Sequence, residues 1–401
     1  MRTFYFVVVG WELAGLLGGS HFCRAQEWTL TSAPVTNWSS VASSADGSKL
    51  VAAVKNGLIY ISTNSGSTWV ATSAPTNYWR SVASSADGAR LFAAGGYGVI
   101  YASADSGSTW QPTGGGVFYN IACSADGTKL AAAYNGRAVS TNSGATWMYL
   151  DFVMDVGTFI WSVSMSADGN TLVFVVNEAS SARPWFSGSQ TSDWGDDILA
   201  WFQGGICRSV AMCADGTRFA AVITAYMASP PGTTNCGGTL FTWSAAGPTV
   251  LTNCTSVTNW TSVATSADGI RLVAVASGGA IYISRDAGVT WGPASVTNAS
   301  WVSVASSADG TKLVAAANGG GIYTWQTVPA PVLNVTPTTN GSLVISWTVP
   351  SMTFALQETS DLATAHWTPV GVPPTLNCAT LQYQVTLPKP QGAVFYRLAS
   401  P

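Results

Sequence analysis

Ser44-Ala45-Asp46-Gly47 is the first of seven copies of one short phrase, Ser-Ala-Asp-Gly or a close variant, that recurs through this chain. The aspartates of the seven copies are Asp46, Asp87, Asp126, Asp168, Asp215, Asp268 and Asp309. Subtraction of successive numbers gives spacings of 41, 39, 42, 47, 53 and 41 residues. A near-constant period of this length indicates that one supersecondary unit is repeated along the chain.

Each repeat has the pattern of four short strands. In the first repeat the predicted strands cover residues 38–43, 49–54, 58–62 and 69–72. Asp46-Gly47 forms the turn between the first two strands, because Gly tolerates positive φ and Asp bonds the local backbone. A period of about 40–45 residues with this strand content is the signature of a β-propeller. We therefore predict an all-β fold with a seven-bladed β-propeller over residues 26–328.

A second motif, Ser-x-Asp-x-Gly-x-Thr-Trp, links the third and fourth predicted strands of four repeats, with Asn replacing Asp in two copies. The copies cover residues 62–69, 103–110, 140–147 and 284–291. This motif resembles the Asp-box, or BNR repeat, of sialidases, sortilin-type receptors and photosystem II assembly-factor propellers. In those families the box is a structural turn away from the active site. The resemblance therefore implies a fold and does not imply an activity.

The two ends of the repeat region complement each other. The seventh repeat stops after Tyr323-Thr324-Trp325 without a fourth strand, while residues 28–34 closely match residues 69–75. We expect the N-terminal segment to supply the missing outer strand, which closes the ring and hides edges that invite pairing. Beyond this region, residues 329–401 have alternating strand patterns that resemble a small fibronectin-III-like β-sandwich.

The N-terminus has the pattern of an export signal over residues 1–25. Arg2 precedes a mostly apolar stretch from Phe4 to Leu17, which is too short for a stable membrane anchor. We expect the protein to be secreted, periplasmic or on the cell surface, with no membrane span.

Six cysteines remain after residue 25, and an exported chain permits disulfides between them. Cys236 and Cys254 bracket an insertion in the fifth repeat, so we predict a disulfide between them. For Cys123, Cys207 and Cys213 the interpretation is that they are small buried residues.

Composition excludes several function classes. Charged residues make up 9% of the chain and the net charge is −3, without a basic cluster, so we expect no nucleic-acid partner. The only histidines are His21, in the predicted signal, and His366, near the C-terminus. A propeller without histidine has no Ser-His-Asp arrangement and no His-ligated metal. We predict no catalytic residue, no metal and no cofactor.

Glycoside hydrolysis is the alternative function, since it needs only two carboxylates. The acids not assigned to turns are Glu27, Asp151, Asp155, Glu178, Asp193, Asp196 and Asp197; they also fit solvated loop acids. Sialidases clamp their substrate with three arginines. Here Arg80 and Arg208 lie early in first strands, and no third arginine lies at that strand position. A structural extracellular repeat protein is a second alternative.

The favoured function is recognition on the face where the fourth strand of one repeat connects to the first strand of the next. The predicted ligand-binding residues on this d–a face are Asn37, Trp38, Asn77, Trp79, Asn259, Trp260 and Trp301. Aromatic faces beside amides suit stacking and hydrogen bonding to a sugar or peptide. Wedging of the tryptophans between blades as core is the other interpretation. We predict a monomeric, non-catalytic binding module for an extracellular glycan or protein.

Overall fold

The computed structural model describes a large part of the chain, and all its elements are β-strands. The described residues are 7–9, 28–96, 98–114, 116, 118–134, 136–152, 159–178, 181–187, 205–225, 238–244, 247–250, 257, 259–326, 333–348, 355–361, 366–377, 382–390, 392 and 394–399. In these ranges no helix is long and apolar enough to cross a membrane. The chain divides into two compact units, residues 27–326 and residues 1–26 with 327–401, which are described separately.

The strands are numbered in chain order, and neighbours joined by antiparallel hydrogen bonds are grouped into sheets. Two short strands precede the repeats: β1 (Val7–Val9) and β2 (Thr29–Leu30). Sheet 1 comprises β3 (Thr36–Ser43), β4 (Leu50–Gly57), β5 (Ile59–Ser62) and β6 (Val70–Ala71). Sheet 2 comprises β7 (Asn77–Ser84), β8 (Leu91–Gly95), β9 (Ile100–Ser103) and β10 (Gln111–Thr113). Sheet 3 comprises β11 (Phe118–Cys123), β12 (Leu130–Tyr134), β13 (Gly136–Ser140) and β14 (Met148–Phe152).

The later repeats form corresponding sheets. Sheets 4 and 5 comprise β15 (Phe159–Met165), β16 (Leu172–Glu178) and β17 (Ser181–Ser187); β18 (Gly205–Met212), β19 (Phe219–Ala225), β20 (Thr239–Ser244) and β21 (Gly247–Val250). Sheets 6 and 7 comprise β22 (Trp260–Thr265), β23 (Leu272–Gly279), β24 (Ile281–Ser284) and β25 (Gly292–Pro293); β26 (Ala299–Ser306), β27 (Lys312–Gly320) and β28 (Ile322–Gln326). In each sheet the strands pair in sequence order as antiparallel hairpins.

The second strand of each sheet is buried on both faces. In β4 the five residues Leu50 to Val54 are all buried, and β8 is buried throughout. Apolar clusters form between neighbouring sheets: Val51 and Ala53 of sheet 1 pack in one cluster with Val82 and Leu91 of sheet 2. Uniformly apolar strands are what a strand covered on both faces requires.

The first strands of the sheets form a closed cycle. Each contacts the first strand of the next sheet, from β3 through β7, β11, β15, β18, β22 and β26 back to β3. The alanines of the seven repeated phrases are linked in the same order, because the amide of each donates to the carbonyl of the next at 2.7–2.8 Å. The cycle runs through Ala45, Ala86, Ala125, Ala167, Ala214, Ala267 and Ala308, whose amide donates back to Ala45.

Each repeated phrase forms a turn held by its own aspartate. Ser44 Oγ donates to Asp46 Oδ1 at 2.6 Å, the Ser48 amide donates to the same oxygen at 2.9 Å, and Gly47 has a φ of 66°. In the fifth repeat Cys213 takes the place of the serine and its Sγ donates to Asp215 Oδ1. Because these bonds favour the charged carboxylate, they lower the pKa of Asp126 and Asp215 to about 2.

We expect the turn aspartates to make the fold sensitive to acid. A carboxyl whose pKa is lower in the folded chain than its ordinary value of 3.8 stabilises the fold above that value, and the stabilisation is lost as the pH falls towards the folded pKa. The melting temperature should therefore be steady down to about pH 4 and fall steeply between about pH 4 and 2. Circular dichroism melts over this range test the expectation.

Asp105→Asn tests the contribution of one further carboxyl, which belongs to the second motif and whose pKa is also lowered to about 2. Asn64 already holds the same position in sheet 1, where its Oδ1 accepts the Thr68 amide at 2.9 Å, as Asp105 Oδ1 accepts the Thr109 amide. The variant keeps the acceptor and removes one titrating group, so its acid dependence should be shallower. A melting temperature that is unchanged from pH 5 to 2 in the wild-type protein would contradict the assignment.

The second motif forms a tight turn between third and fourth strands. The Gly66 amide donates to Ser62 Oγ at 2.9 Å, and Ser65 and Gly66 both have positive φ, 56° and 89°. The same bond joins Gly107 to Ser103 and Gly288 to Ser284. A Cβ on Gly66 would lie 2.7 Å from a methyl of Thr324. Glycine is therefore required both by the backbone conformation and by the neighbouring sheet.

The N-terminal strand β2 lies against the last strand of sheet 7. Thr29 and Leu30 pair antiparallel with Thr324 and Tyr323 of β28, and the Thr31 amide donates to the Ile322 carbonyl at 2.9 Å. Trp28 is 7% exposed and packs in a cluster that includes Trp325.

The other unit contains two antiparallel sheets. Its strands are β29 (Asn334–Pro337), β30 (Leu343–Thr348), β31 (Ala355–Thr359), β32 (Thr368–Pro369), β33 (Thr375–Asn377), β34 (Gln382–Leu387) and β35 (Val394–Ala399). The strand orders are β29-β30-β34-β33 and β1-β35-β31-β32. Ile345 and Trp347 of the first sheet share a buried cluster with Leu356 and Tyr396 of the second. Cleavage after residue 25 would remove β1 and leave β35 paired with β31.

Candidate ligand-binding site

The four tryptophans that the sequence suggested as a stacking platform are buried. Trp38, Trp79, Trp260 and Trp301 are 1%, 0%, 3% and 0% exposed. Each packs edge-to-face on a tyrosine of its own third strand, at 5.2–5.5 Å between ring centroids. The structure thus corrects the expected contact role of these indoles, because rings enclosed between sheets present no face to a ligand. The core interpretation describes them.

The asparagines beside them lie nearer the surface. Asn37 and Asn259 are exposed and Asn77 is half-buried. The backbone of Asn37 pairs with Asn318 at the end of sheet 7, and Asn77 Oδ1 accepts the Tyr78 amide at 2.7 Å. The predicted residues are therefore separated into buried rings and surface amides, and they do not form one site.

Each first strand contains a β-bulge, and the bulged residue directly follows the buried position that Trp38 and Trp79 occupy in sheets 1 and 2. The pairing register shifts between Trp38 and Ser40, and the same shift recurs in every first strand. Such a bulge inserts one unpaired residue and re-aims its side chain. The residues at this bulge position are Ser39, Arg80, Tyr119, Trp161, Arg208, Thr261 and Val302.

Two pairs of bulge residues contact each other across neighbouring sheets. The Arg80 guanidinium lies 4.8 Å from the Tyr119 ring centroid, and that of Arg208 lies 4.6 Å from the Trp161 ring centroid. Arg80 also lies 4.7 Å from the ring of Tyr78, on which Lys55 sits at 5.1 Å. We call these six residues, Lys55, Tyr78, Arg80, Tyr119, Trp161 and Arg208, the cation–aromatic arc.

The charges of the arc are not neutralised within the described part of the chain. Arg80 and Arg208 have aromatic partners only and no carboxylate within ion-pair distance there. Burial lowers the pKa of Arg208, yet a guanidinium stays protonated in proteins. Trp161 is 38% exposed despite its size. Arg208 is half-buried and Arg80 is exposed, and two such guanidinium groups beside an exposed indole suit a ligand that carries both carboxylate and apolar groups.

Aligning the seven repeats on their turn aspartates would have identified the bulge residues of the cation–aromatic arc. Each bulge residue stands seven positions before its turn aspartate, as Arg80 stands before Asp87 and Arg208 before Asp215. The sequence analysis compared the connections between repeats and selected the recurring tryptophans one position earlier. The position whose residue type differs from repeat to repeat is the bulge position, which has no backbone pairing partner in the neighbouring strand.

The described residues offer little to acid–base chemistry. The turn aspartates accept hydrogen bonds within their own turns, as Asp87 does from Ser85 and Ala89. The chain's described side chains contain no group of three or more His, Cys, Asp or Glu that is placed to hold a metal ion. Of the candidate acids, Glu27, Asp155, Asp193, Asp196 and Asp197 lie outside the described residues, and only the backbone is described for Asp151 and Glu178.

Some of the cysteines also lie outside the described residues. Cys236 and Cys254 lie outside the described residues, so their disulfide stays a prediction. Cys207 and Cys213 are buried and Cys123 is half-buried, and Cys207 Sγ lies 3.9 Å from the Ser209 carbonyl oxygen. Burial raises the pKa of the Cys207 thiol to about 12, which keeps it protonated and unreactive at neutral pH.

Comparison with known proteins gives matches in structure alone. No protein-family profile matches the sequence, and no curated protein matches it. YCF48 bound to a D1 peptide is 12% identical with a TM-score of 0.57 over 77% of this chain and 99% of its own. YCF48 from Cyanidioschyzon merolae is 16% identical with a TM-score of 0.56, covering 75% of this chain and 98% of its own.

An enzyme is among the similar structures as well. A GH74 xyloglucanase from Xanthomonas campestris is 15% identical with a TM-score of 0.58, over 80% of this chain and 59% of its own. At such identities the likeness shows a shared fold and leaves function open. This chain therefore has the β-propeller fold that these proteins share.

Proposed function

We propose that this protein is a secreted, non-catalytic binding module whose propeller has seven blades, one for each sheet, and a fibronectin-III-like domain after it. The closed cycle of seven alanines supports the blade number, since each member belongs to a different repeat. The pairing of β2 with β28 supports closure by the N-terminal strand. Residues 1–25 act as the export signal in this proposal.

The proposed ligand is a carboxylate-rich segment of an extracellular protein, bound across the cation–aromatic arc. The observation that carries this proposal is the pair of arginines, Arg80 and Arg208, that lie on aromatic rings without a carboxylate partner in the described residues. Carboxylates bind guanidinium groups through short, charge-assisted hydrogen bonds. Trp161 and Tyr119 would contact the apolar parts of the same segment.

The peptide complex of a structurally similar protein supports a protein partner over a glycan. YCF48 has been solved with a D1 peptide bound, so a protein of similar fold binds a peptide. A neutral glycan would leave the arginine charges of the arc without a counter-charge. Charge complementarity thus favours an acidic peptide.

The test compares an acidic and a neutral peptide of equal length. Fluorescence anisotropy would measure the binding of a labelled decapeptide of alternating Glu and Ala, against the same peptide with Gln for Glu. We expect the acidic peptide alone to bind, and its affinity to fall about tenfold or more in the Arg80→Gln, Arg208→Gln double variant. Added salt should weaken binding, since the attraction is screened.

Arg285→Gln provides the matched control. Arg285 is exposed in the turn after β24, at the opposite end of the strands from the bulges, so its loss should leave the affinity unchanged. The proposal fails if the neutral peptide binds as tightly as the acidic one. It also fails if the double variant, shown by its melting curve to be folded, binds like the wild-type protein.

A further inference from the structure

Neighbouring sheets enclose a narrow cleft beside the repeated turns. Between sheets 7 and 1 the cleft is lined by Lys312, Ser65 and Thr324 and measures about 10 Å³. The cleft between sheets 1 and 2, lined by the corresponding residues, also measures about 10 Å³. Each is at the lower limit of the roughly 10–15 Å³ that a single water molecule needs.

A basic side chain closes each of these two clefts. Lys312 Nζ donates to Ser65 Oγ at 3.4 Å, and Lys49 Nζ donates to Ser106 Oγ at 3.2 Å. In both cases the lysine belongs to one sheet and the serine to the Ser-x-Asp-x-Gly turn of the next. The bond draws the long side chain across the opening, and its aliphatic stem fills the space.

The corresponding cleft between sheets 5 and 6 is open and measures about 210 Å³. Arg218 stands where the lysines stand, but Ala287 replaces the serine that would accept its hydrogen bond. Trp243 occupies the position of Ser62, the anchor of the tight turn in sheet 1. Alanine at position 287 alone removes the bond, since an arginine makes it between sheets 2 and 3, where Arg90 Nη1 donates to Ser143 Oγ. Trp243 changes the lining of the cleft on the sheet 5 side.

The open cleft has both aromatic and polar walls. The half-buried indole of Trp243 supplies the aromatic wall, and it stacks on the buried Phe219 at 5.4 Å between ring centroids, with an interplanar angle of 19°. Thr242, Thr265 and Ser244 contribute further lining. Arg218 is exposed and makes no side-chain hydrogen bond or ion pair within the described residues. The nearby Asp215 carboxylate is held chiefly by Cys213 and Thr217, with only a small effect of the Arg218 charge on its pKa.

We propose that the cleft between sheets 5 and 6 is a binding site for a single carboxylated sugar of the uronic-acid class. The volume suits one monosaccharide unit, an aromatic wall suits the C–H face of a sugar ring, and threonine and serine suit its hydroxyls. Arg218 supplies the charge-assisted bond to the carboxylate. The site is distinct from the cation–aromatic arc, since it lies beside the turns at the opposite end of the strands.

Binding of D-glucuronate, D-galacturonate and D-glucose to the full chain tests the proposal, with isothermal titration or ligand-observed NMR as the readout. We expect at least one uronate to bind and glucose to bind at least about tenfold more weakly, because it lacks the carboxylate. Arg218→Gln should reduce uronate affinity by a similar factor.

Ala287→Ser is the sharper variant, because it rebuilds the closure found in the other clefts. Ser65 and Ser106 occupy the same turn position at φ of 56° and 57°, as does Ala287 at 57°, so the serine fits the backbone. It should capture Arg218 and abolish uronate binding while leaving the melting temperature unchanged or higher. Ser106→Ala is the matched control: it frees Lys49 beside a cleft without the aromatic wall, and uronate affinity should not change.

The Arg80→Gln, Arg208→Gln variant separates this site from the arc. It should keep full uronate binding whether or not the acidic peptide binds. The proposal is overturned if the wild-type protein binds no uronate at tens of millimolar, if glucose binds equally well, or if folded Ala287→Ser and Arg218→Gln proteins bind uronate as the wild type does.

Discussion

Replacing Trp79 with Ala should destabilise the propeller by about 3–5 kcal/mol. Trp79 is fully buried and packs in one cluster with Ile59 and Val51 of the neighbouring sheet, so its loss leaves a cavity at a joint between sheets. The Nε1 atom has no hydrogen-bond partner in the described residues, and the cost therefore comes from lost packing. The midpoint of urea unfolding, followed by tryptophan fluorescence or far-UV circular dichroism, measures it.

Trp161→Ala is the matched control for this prediction. Trp161 also lies at the start of a first strand, but it is 38% exposed at the bulge position, and its removal should change stability by about 1 kcal/mol or less. The same variant should weaken binding of the acidic peptide. If Trp79→Ala unfolds at the wild-type midpoint, the assignment of these tryptophans to the core is refuted.

Deletion of residues 1–34 should lower the melting temperature by about 5 °C or more and promote aggregation. The deletion removes the pairs of Thr29 and Leu30 with β28, the bond from Ser32 Oγ to the Ser67 carbonyl at 3.0 Å, and the buried Trp28. Loss of one buried tryptophan alone costs about 3–5 kcal/mol, and in a unit of about 300 residues each kcal/mol shifts the melting temperature by about 1–2 °C. The freed edge of β28 then invites intermolecular pairing.

Deletion of residues 1–26 is the control, because it leaves β2 in place. Its propeller should melt like that of the full chain, and differential scanning calorimetry would resolve that transition from the transition of the other unit. Equal melting temperatures for the two deletions would show that β2 does not stabilise the ring.

The strands of a repeat could be predicted closely because their signals are local. In sheet 1 the predicted strands over 38–43, 49–54, 58–62 and 69–72 correspond to the observed Thr36–Ser43, Leu50–Gly57, Ile59–Ser62 and Val70–Ala71. The turns that separate them are held by bonds between residues two to five positions apart, such as Ser44 with Asp46. The identity of the turn residues therefore determines the turn.

The site could not be predicted in the same way, because it depends on contacts between sheets. Trp79 and Arg80 are neighbours in sequence, yet one is buried against sheet 1 and the other contacts the rings of Tyr78 and Tyr119. A bulge at Arg80 changes the alternation of inward and outward side chains along the strand. No residue type in the repeat predicts this bulge. Sequence reasoning therefore chose the recurring tryptophans and missed the variable residues beside them.

The sequence by itself determined the repeat number, the turns and the all-β character of this protein, since these follow from short-range hydrogen bonds and from strand-length apolar runs. Only the tertiary structure decided which side chains are enclosed between sheets and which remain accessible. The open cleft makes the same point: Ala287 and Arg218 are 69 residues apart in sequence, and they form one cavity because adjacent sheets pack together. The packing of adjacent sheets determines which residues of different repeats meet, and the sequence of a single repeat does not contain that information.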